Sequence, residues 1–543
     1  MSAYIEVGFC NIKGSCRFST AKICFAQNVT RKNHWTRFTF RAHQSEAVEH
    51  EKRFFSLPRP TSEDSVRLFV GLPQDAVSLG RNTINKTRAI VVGLKALKLL
   101  GVEGVELPIW WGIVEKDVMG KYDWSRYLAI AEMVQILGLR LHVTLCFHGS
   151  KAPNIPLPRW VSQIGESQPN NIFFTDRAGH HYKECLSLAV DHLPVLHGKT
   201  PVQVYHSFFE SFKLSFSSFL SSTITGITIG LGPNGELRYP SHNQLPSNHK
   251  TKGVGEFQCY DQNMLNFLKK HADESGNPLW GLGGPHDAPT YDQSPNSNSF
   301  FKDGGSWESA YGDFFLSWYA EQLITHGESL LSLATSTFSD TGVHVYGKIP
   351  LEHCWYMTHS HPSELTAGFY NTIKRDGYEP VVKMFASNSC KMLLPGLDKS
   401  AACQPHEPLS SPEMLLEQIM ETCRIHGVKV SGQNTSESGA LGGFEQIKKI
   451  LCADNVLDLF IYQRMGACFF SPKHFPSFTQ FVRSLNPKEL HSGDEKEVAD
   501  SPTKNPESSV GLWPKPCLSS NGPMVLLSKV LNPYKYNSCD AEP

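Results

Sequence analysis

Glu236 and Gln433 are the two positions from which proton chemistry in this chain must be judged. Glu236 lies in GLGPNGELRYP (Gly230 to Pro240), where glycines and prolines favour a fixed turn. A carboxyl group held there can give or take a proton at neutral pH. Gln433 lies in KVSGQN (Lys429 to Asn434), a short β-branched run that ends in two amides. An amide has no basic lone pair to offer, so it cannot pull a proton from water. Other polar and aromatic residues follow strand-like runs in the same way: Trp110 and Trp111, His148, Lys348, His353 and Trp355, Asn434, and Arg464. Aromatic faces stack on pyranose rings, while Lys, His, Arg and Asn hydrogen-bond hydroxyls, so this set suits a sugar.

The runs that must carry these residues are short and mostly followed by helical patterns. They span Arg67 to Leu72, Val105 to Ile109, Arg140 to Cys146, Ile224 to Leu231, Val343 to Ile349, Met392 to Leu394, Val428 to Ser431 and Leu457 to Tyr462. Helical periodicity appears over Lys86 to Leu100, Trp124 to Leu137, Pro412 to Ile425, Phe444 to Leu451 and Phe475 to Leu485. Eight strands alternating with helices predict an α/β fold, a (β/α)₈ barrel of the TIM type. Such a barrel places its site at the carboxyl ends of the strands. The connection from about Ser241 to Gly312 is long, rich in Gly and aromatics, and predicts a lid or small subdomain over that face.

At 543 residues, 40% hydrophobic and 19% charged, the chain can bury one large core. A net charge of −1 gives no case for nucleic acid or an anionic membrane as partner. The 14 cysteines form no CxxC pair, which argues against zinc ribbons and thioredoxin-like motifs and fits a reducing compartment. Residues 1–43 carry seven Lys and Arg against the single acid Glu6, the composition of an organellar transit peptide. Residues 44–65 read as a linker, 66–485 as the barrel, and 486–543, rich in Ser, Pro and charge, as a disordered tail.

Five segments in order resemble the plant β-amylases: IWWGIVE (Ile109 to Glu115), NIPLPRW (Asn154 to Trp160), GLGPNGELRYP, GEFQCYD (Gly255 to Asp261) and ELTAGFYN (Glu364 to Asn371). The likeness runs from about Leu68 to Leu485. It implies a barrel whose cleft grips the non-reducing end of a starch chain and releases maltose with inversion, with no metal and no organic cofactor. Inversion uses two carboxyl groups, roughly 6.5–9.5 Å apart, so that a water fits beneath the anomeric carbon. By this resemblance Glu236 is the proton donor, and the base is the glutamate of a GEN triplet, replaced here by Gln433 in SGQN. His148, Lys348, His353, Asn434, Thr435 and Arg464 fall on substrate-binding positions.

The departures share a direction. The family's aspartate in DVWWG falls on Pro108, its inner-loop threonine in a segment like FTCLEM on Pro395, and its glutamate before GLGP on Thr228. Proline offers neither hydroxyl nor N–H and stiffens a loop. The family's Gly-rich lid after the histidine is replaced by GSKAPNIPLP (Gly149 to Pro158), with no acid. The expected protein is thus a catalytically inactive member of the plastidial branch, located in the chloroplast stroma. It would bind starch or a malto-oligosaccharide, or another starch-degrading enzyme, and regulate starch breakdown. Two alternatives stand beside it: a working maltose-releasing exo-hydrolase with Glu437 as substitute base, and a structural or oligomeric member with an occluded cleft.

Overall fold

The computed structural model describes residues 66–80, 83–242, 253–403, 409–435, 443–452 and 457–485. The expected transit peptide, linker and tail, and Glu437, lie outside the described residues. Ten strands are described: β1 (Arg67–Gly71), β2 (Gly104–Trp110), β3 (Arg140–Cys146), β4 (Phe173–Thr175), β5 (His181–Leu186), β6 (Ile224–Ile229), β7 (His344–Lys348), β8 (Lys391–Leu394), β9 (Val430–Gln433) and β10 (Leu459–Tyr462). β4 and β5 form a separate antiparallel pair. The other eight close in the order β1-β2-β3-β6-β7-β8-β9-β10, with every pairing parallel.

The barrel forms because its strands are apolar and are covered on the outside by helices, as parallel strands require. β2 is buried along its whole length. Its side chains alternate: Leu107 and Ile109 join the apolar layer under the helices, while Glu106 faces inward and accepts from Thr144 Oγ1 at 2.7 Å. Helix α1 (Thr87–Leu99) turns Ile90, Gly93, Leu94 and Leu97 to that layer at helical spacing. The floor of the barrel is polar. Asp458 Oδ2 lies 2.7 Å from Lys391 Nζ, 3.1 Å from Tyr346 Oη and 3.3 Å from Arg67 Nη2, which ties β1, β7 and β8 to the start of β10. Groups at that end of a TIM barrel serve stability rather than chemistry.

All eight expected barrel strands are present, with ends displaced by at most two residues. The displacement that matters is in β9, which starts at Val430 and includes Gln433. Val428 is still part of the preceding helix end, its N–H donating to the Cys423 carbonyl at 2.9 Å. The stretch from 160 to 222, for which no element was expected, holds β4, β5 and α2 (Pro201–Ser215). The start of α2 is a capping box between Thr200 and Gln203. In the long connection, Phe257 packs its ring 5.0 Å from Phe315 and 5.2 Å from Tyr319 of α3 (Ala310–Phe338). The aromatics of that connection therefore join the main hydrophobic core of the barrel. No helix among the described residues is long and apolar enough to cross a membrane.

Candidate active site

Glu236, the expected proton donor, follows a turn that depends on glycine. After β6 the chain passes through Gly232, Asn234 and Gly235, all with positive φ. A Cβ on Gly232 would sit 2.7 Å from the Glu236 carbonyl oxygen, so glycine is required there. The turn lays Glu236 beside the end of β7, where the Leu237 N–H donates to the Lys348 carbonyl at 2.8 Å. Both carboxylate oxygens then meet cations: Oε1 is 3.2 Å from Lys348 Nζ, and Oε2 is 3.1 Å from Arg238 Nε. Arg238 is itself anchored, its Nη1 donating to Glu352 Oε1 at 2.9 Å. Glu236 is 13% exposed, open enough to meet a ligand and enclosed enough to hold one orientation.

His148 borders the same space. Its ring meets Trp110 edge-on at 5.3 Å, and a Cβ on Gly235 would lie 3.2 Å from its Cε1. Burial, with the Lys348 charge adding to it, lowers the imidazole pKa to about 3, so His148 is neutral at physiological pH. Its buried Nδ1 has no hydrogen-bond partner among the described residues. The two tryptophans divide: Trp110 faces His148, while Trp111 is fully buried against Phe147, Trp160 and Tyr205 and donates to Glu115. Trp111 is a core residue.

Across the rim, Gln433 ends β9, three strands round from β6, and is 5% exposed. Its backbone carbonyl accepts from the Leu397 N–H at 3.0 Å. Asn434 turns its amide to the Gln463 backbone, donating to the carbonyl at 2.7 Å and accepting from the N–H at 2.7 Å. Thr435 is held by Asp398, which accepts from its N–H at 2.7 Å and its hydroxyl at 3.2 Å. Arg464 Nη1 donates to the Leu72 carbonyl at 3.0 Å, joining the ends of β10 and β1. Both ring nitrogens of His353 are engaged, Nδ1 with Ser410 Oγ at 2.7 Å and Nε2 with Lys399 Nζ at 2.8 Å.

The structure thus brings Glu236 and Lys348 into contact, places His148 against the Glu236 turn at Gly235, and sets His353, Gln433, Asn434, Thr435 and Arg464 after or at the ends of neighbouring strands. Pro108 lies within β2, opposite Thr144 of β3, where it has no N–H to give. Pro395 follows β8 directly and is buried. The segment after His148 closes on itself, with Ser150 and Ile155 exchanging backbone hydrogen bonds of 2.7 and 2.8 Å. Lys151 then ties it to Glu184 of β5 at 3.4 Å. Sequence reasoning missed Arg238, Asp398, Lys399 and Ser410. The only signal was position, since the first sits two residues after Glu236 and the next two follow Pro395. Among the described residues no group of His, Cys, Asp and Glu could hold a metal ion.

A cavity of about 400 Å³ lies elsewhere, lined in part by Tyr356, Met357, His361, Ile373, Met414 and Gln418. The last two belong to helix α4 (Pro412–Ile425). Met357, Ile373 and Met414 are 52%, 60% and 48% exposed, an apolar rim around a polar floor.

Comparison with known proteins gives these positions a context. Residues 69–490 match the family model of glycosyl hydrolase family 14. "Inactive beta-amylase 9" of Arabidopsis thaliana is 58% identical over 446 residues, covering 82% of each chain. "Beta-amylase 1, chloroplastic" of Oryza sativa subsp. japonica is 38% identical over 448 residues, covering 81% of this chain and 83% of that one. Among solved structures, the catalytic domain of the β-amylase of Paenibacillus polymyxa matches with a TM-score of 0.64 at 25% identity, over 78% of this chain and 98% of that one. The barrel, the Glu236 turn and these likenesses agree, and the chain belongs to glycosyl hydrolase family 14, the β-amylases.

Proposed function

We propose that this protein is a non-catalytic β-amylase homologue of the plastid stroma that regulates starch breakdown by binding glucan. The observation that carries this is Gln433 at the end of β9, on the rim opposite the acid side. Glu236 falls on the proton-donor position that the resemblance implies, but an inverting reaction also needs a base to strip the attacking water, and an amide cannot serve. His148, Lys348 and His353 keep the rim polar, which supports retention of a sugar site. The relatives named inactive, at 58% and 37% identity, support the same reading, and those named chloroplastic support the location. Two measurements test it: maltose release from soluble starch, expected at background, and calorimetric titration with a malto-oligosaccharide, expected to give heat. Turnover within about tenfold of an active relative sinks the inactive reading. Import into isolated chloroplasts tests the location.

A second reading, contact with another starch-degrading enzyme, is favoured by the apolar rim of the 400 Å³ cavity. Exposed apolar clusters of this kind mark interaction surfaces. Met357→Glu with Met414→Glu is expected to abolish such a complex in sedimentation velocity, while leaving glucan binding as it was.

A further inference from the structure

We infer that Pro395–Lys399 is an internal strap that holds the sugar position at His353 shut, with the Lys399 ammonium standing where a sugar hydroxyl would bind. The inference deepens the glucan-binding reading and rests on the barrel mouth being the sugar cleft. Four successive features fasten this segment. Pro395 fixes the direction in which the chain leaves β8. Leu397 then lies over β9: its N–H bonds the Gln433 carbonyl at 3.0 Å, and its side chain fills the space that a Cβ on Gly432 would occupy, 2.0 Å from Leu397 Cδ1. Asp398 accepts both the N–H and the hydroxyl of Thr435. Lys399 reaches His353 Nε2 at 2.8 Å.

The donor pattern identifies what the lysine displaces. A Lys ammonium has donors only, so Nε2 of His353 accepts and the ring is neutral, with its proton on Nδ1 facing Ser410 Oγ. A sugar hydroxyl reaching Nε2 would donate in the same way and compete for the same lone pair. Thr435 is likewise occupied by a carboxylate from this chain. Two substrate-contact positions are therefore satisfied from within by neighbouring residues of one five-residue segment. Glucan affinity is reduced by the fraction of molecules in which the strap is seated.

The test uses the full chain, with Lys399→Ala, Lys399→Arg and Thr435→Val, titrated calorimetrically with maltoheptaose, and with ¹⁵N spectra of the His353 ring. Lys399→Ala is expected to tighten binding about tenfold, the change equivalent to ~1.4 kcal/mol, and to move the Nε2 resonance. Lys399→Arg, which retains a donor, is expected to resemble the unaltered protein. Equal affinity in wild type and Lys399→Ala overturns the strap. If no variant binds maltoheptaose, the glucan-binding reading falls, and the ring spectra decide the strap alone: an unmoved Nε2 resonance in Lys399→Ala disproves it, and a shift upholds it.

Discussion

Gln433→Glu is the perturbation that separates a lost base from a lost site. Gln433 is held in place by its own backbone, through the Leu397 N–H, so an isosteric carboxylate at 433 keeps the position of the side chain. The site is 5% exposed, and burial raises a carboxyl pKa, which moves a base toward neutral pH where it works best. A restored general base is worth about 10²–10⁴ in rate, roughly 3–5 kcal/mol of barrier. Against this, on the proposed reading, stand Pro108 and Pro395, each withholding a contact that the resemblance implies and worth ~1 kcal/mol or more, and the Lys399 contact at His353. Together they leave the variant roughly 10²–10³ below an active relative. Maltose release from maltopentaose, followed by NMR of the anomeric proton, reads both rate and stereochemistry. The expected result is β-maltose formed at least about tenfold above wild type, yet far below an active β-amylase. If the variant folds and binds glucan like the parent but shows no gain, the missing base is not what silences this protein.

Other expectations follow from single contacts. Asn434→Ala removes two hydrogen bonds to the Gln463 backbone and is expected to cost ~2–3 kcal/mol in denaturant unfolding; a loss under ~0.5 kcal/mol would place this residue outside the frame. Asp458→Asn strands Lys391 and Arg67 on the barrel floor, with an expected cost of about 3 kcal/mol. Burial opposes ionisation of Asp458, yet the Lys391 and Arg67 charges hold its carboxyl below the usual range. Its contribution is therefore present above the unfolded pKa and is lost as acid passes the folded one. Glu256 behaves in the opposite sense. Burial, then the Asp176 charge, pushes its pKa from 4.5 up to about 7. The folded state keeps a proton that the unfolded chain has released, so stability is full below the unfolded value and falls as pH rises through 7. Glu256→Gln is expected to flatten the loss between pH 4.5 and 7, worth about 3 kcal/mol; an unchanged slope would show that Glu256 is ionised throughout.

The barrel was legible because its strands are period-free apolar runs of the right length, separated by helices with clear 3–4 spacing such as Ile90, Leu94 and Leu97. The donor turn was legible because GLGPNGE leaves few conformations open. The β4–β5 pair was not, since β4 has only three residues and β5, HYKECL, mixes charged and apolar residues with no β-branched run. The rim was half legible. Residue types indicated a sugar-like set, and the likeness assigned positions, but neither shows what a side chain already touches. His353 and Thr435 stand where sugar contacts were expected, and only coordinates reveal that Lys399 and Asp398 have reached them first. Trp110 and Trp111 are adjacent and chemically alike. Their roles divide because one ends β2 facing inward and the next turns out into the aromatic core.

The departures expected from the resemblance are grouped around the rim. β3, β6 and β7 are neighbours in the barrel; His148 and Glu236 follow the first two and Lys348 ends the third, with Glu236 3.2 Å from Lys348. The changes flank this arc: Pro108 on β2 at one side, and Pro395, Lys399 and Gln433 on β8 and β9 at the other. The altered arc is well bonded, with Asp398 on Thr435, Lys399 on His353 and Leu397 on Gln433 and Gly432. These contacts run from buried His353 to exposed Thr435, so each polar group of the arc is met by a neighbour in this chain. On the proposed reading, residues of this chain occupy the β8–β9 side of the mouth, while Glu236 keeps a partly exposed carboxylate on the other. A mouth of that kind is suited to holding one end of a glucan without cutting it.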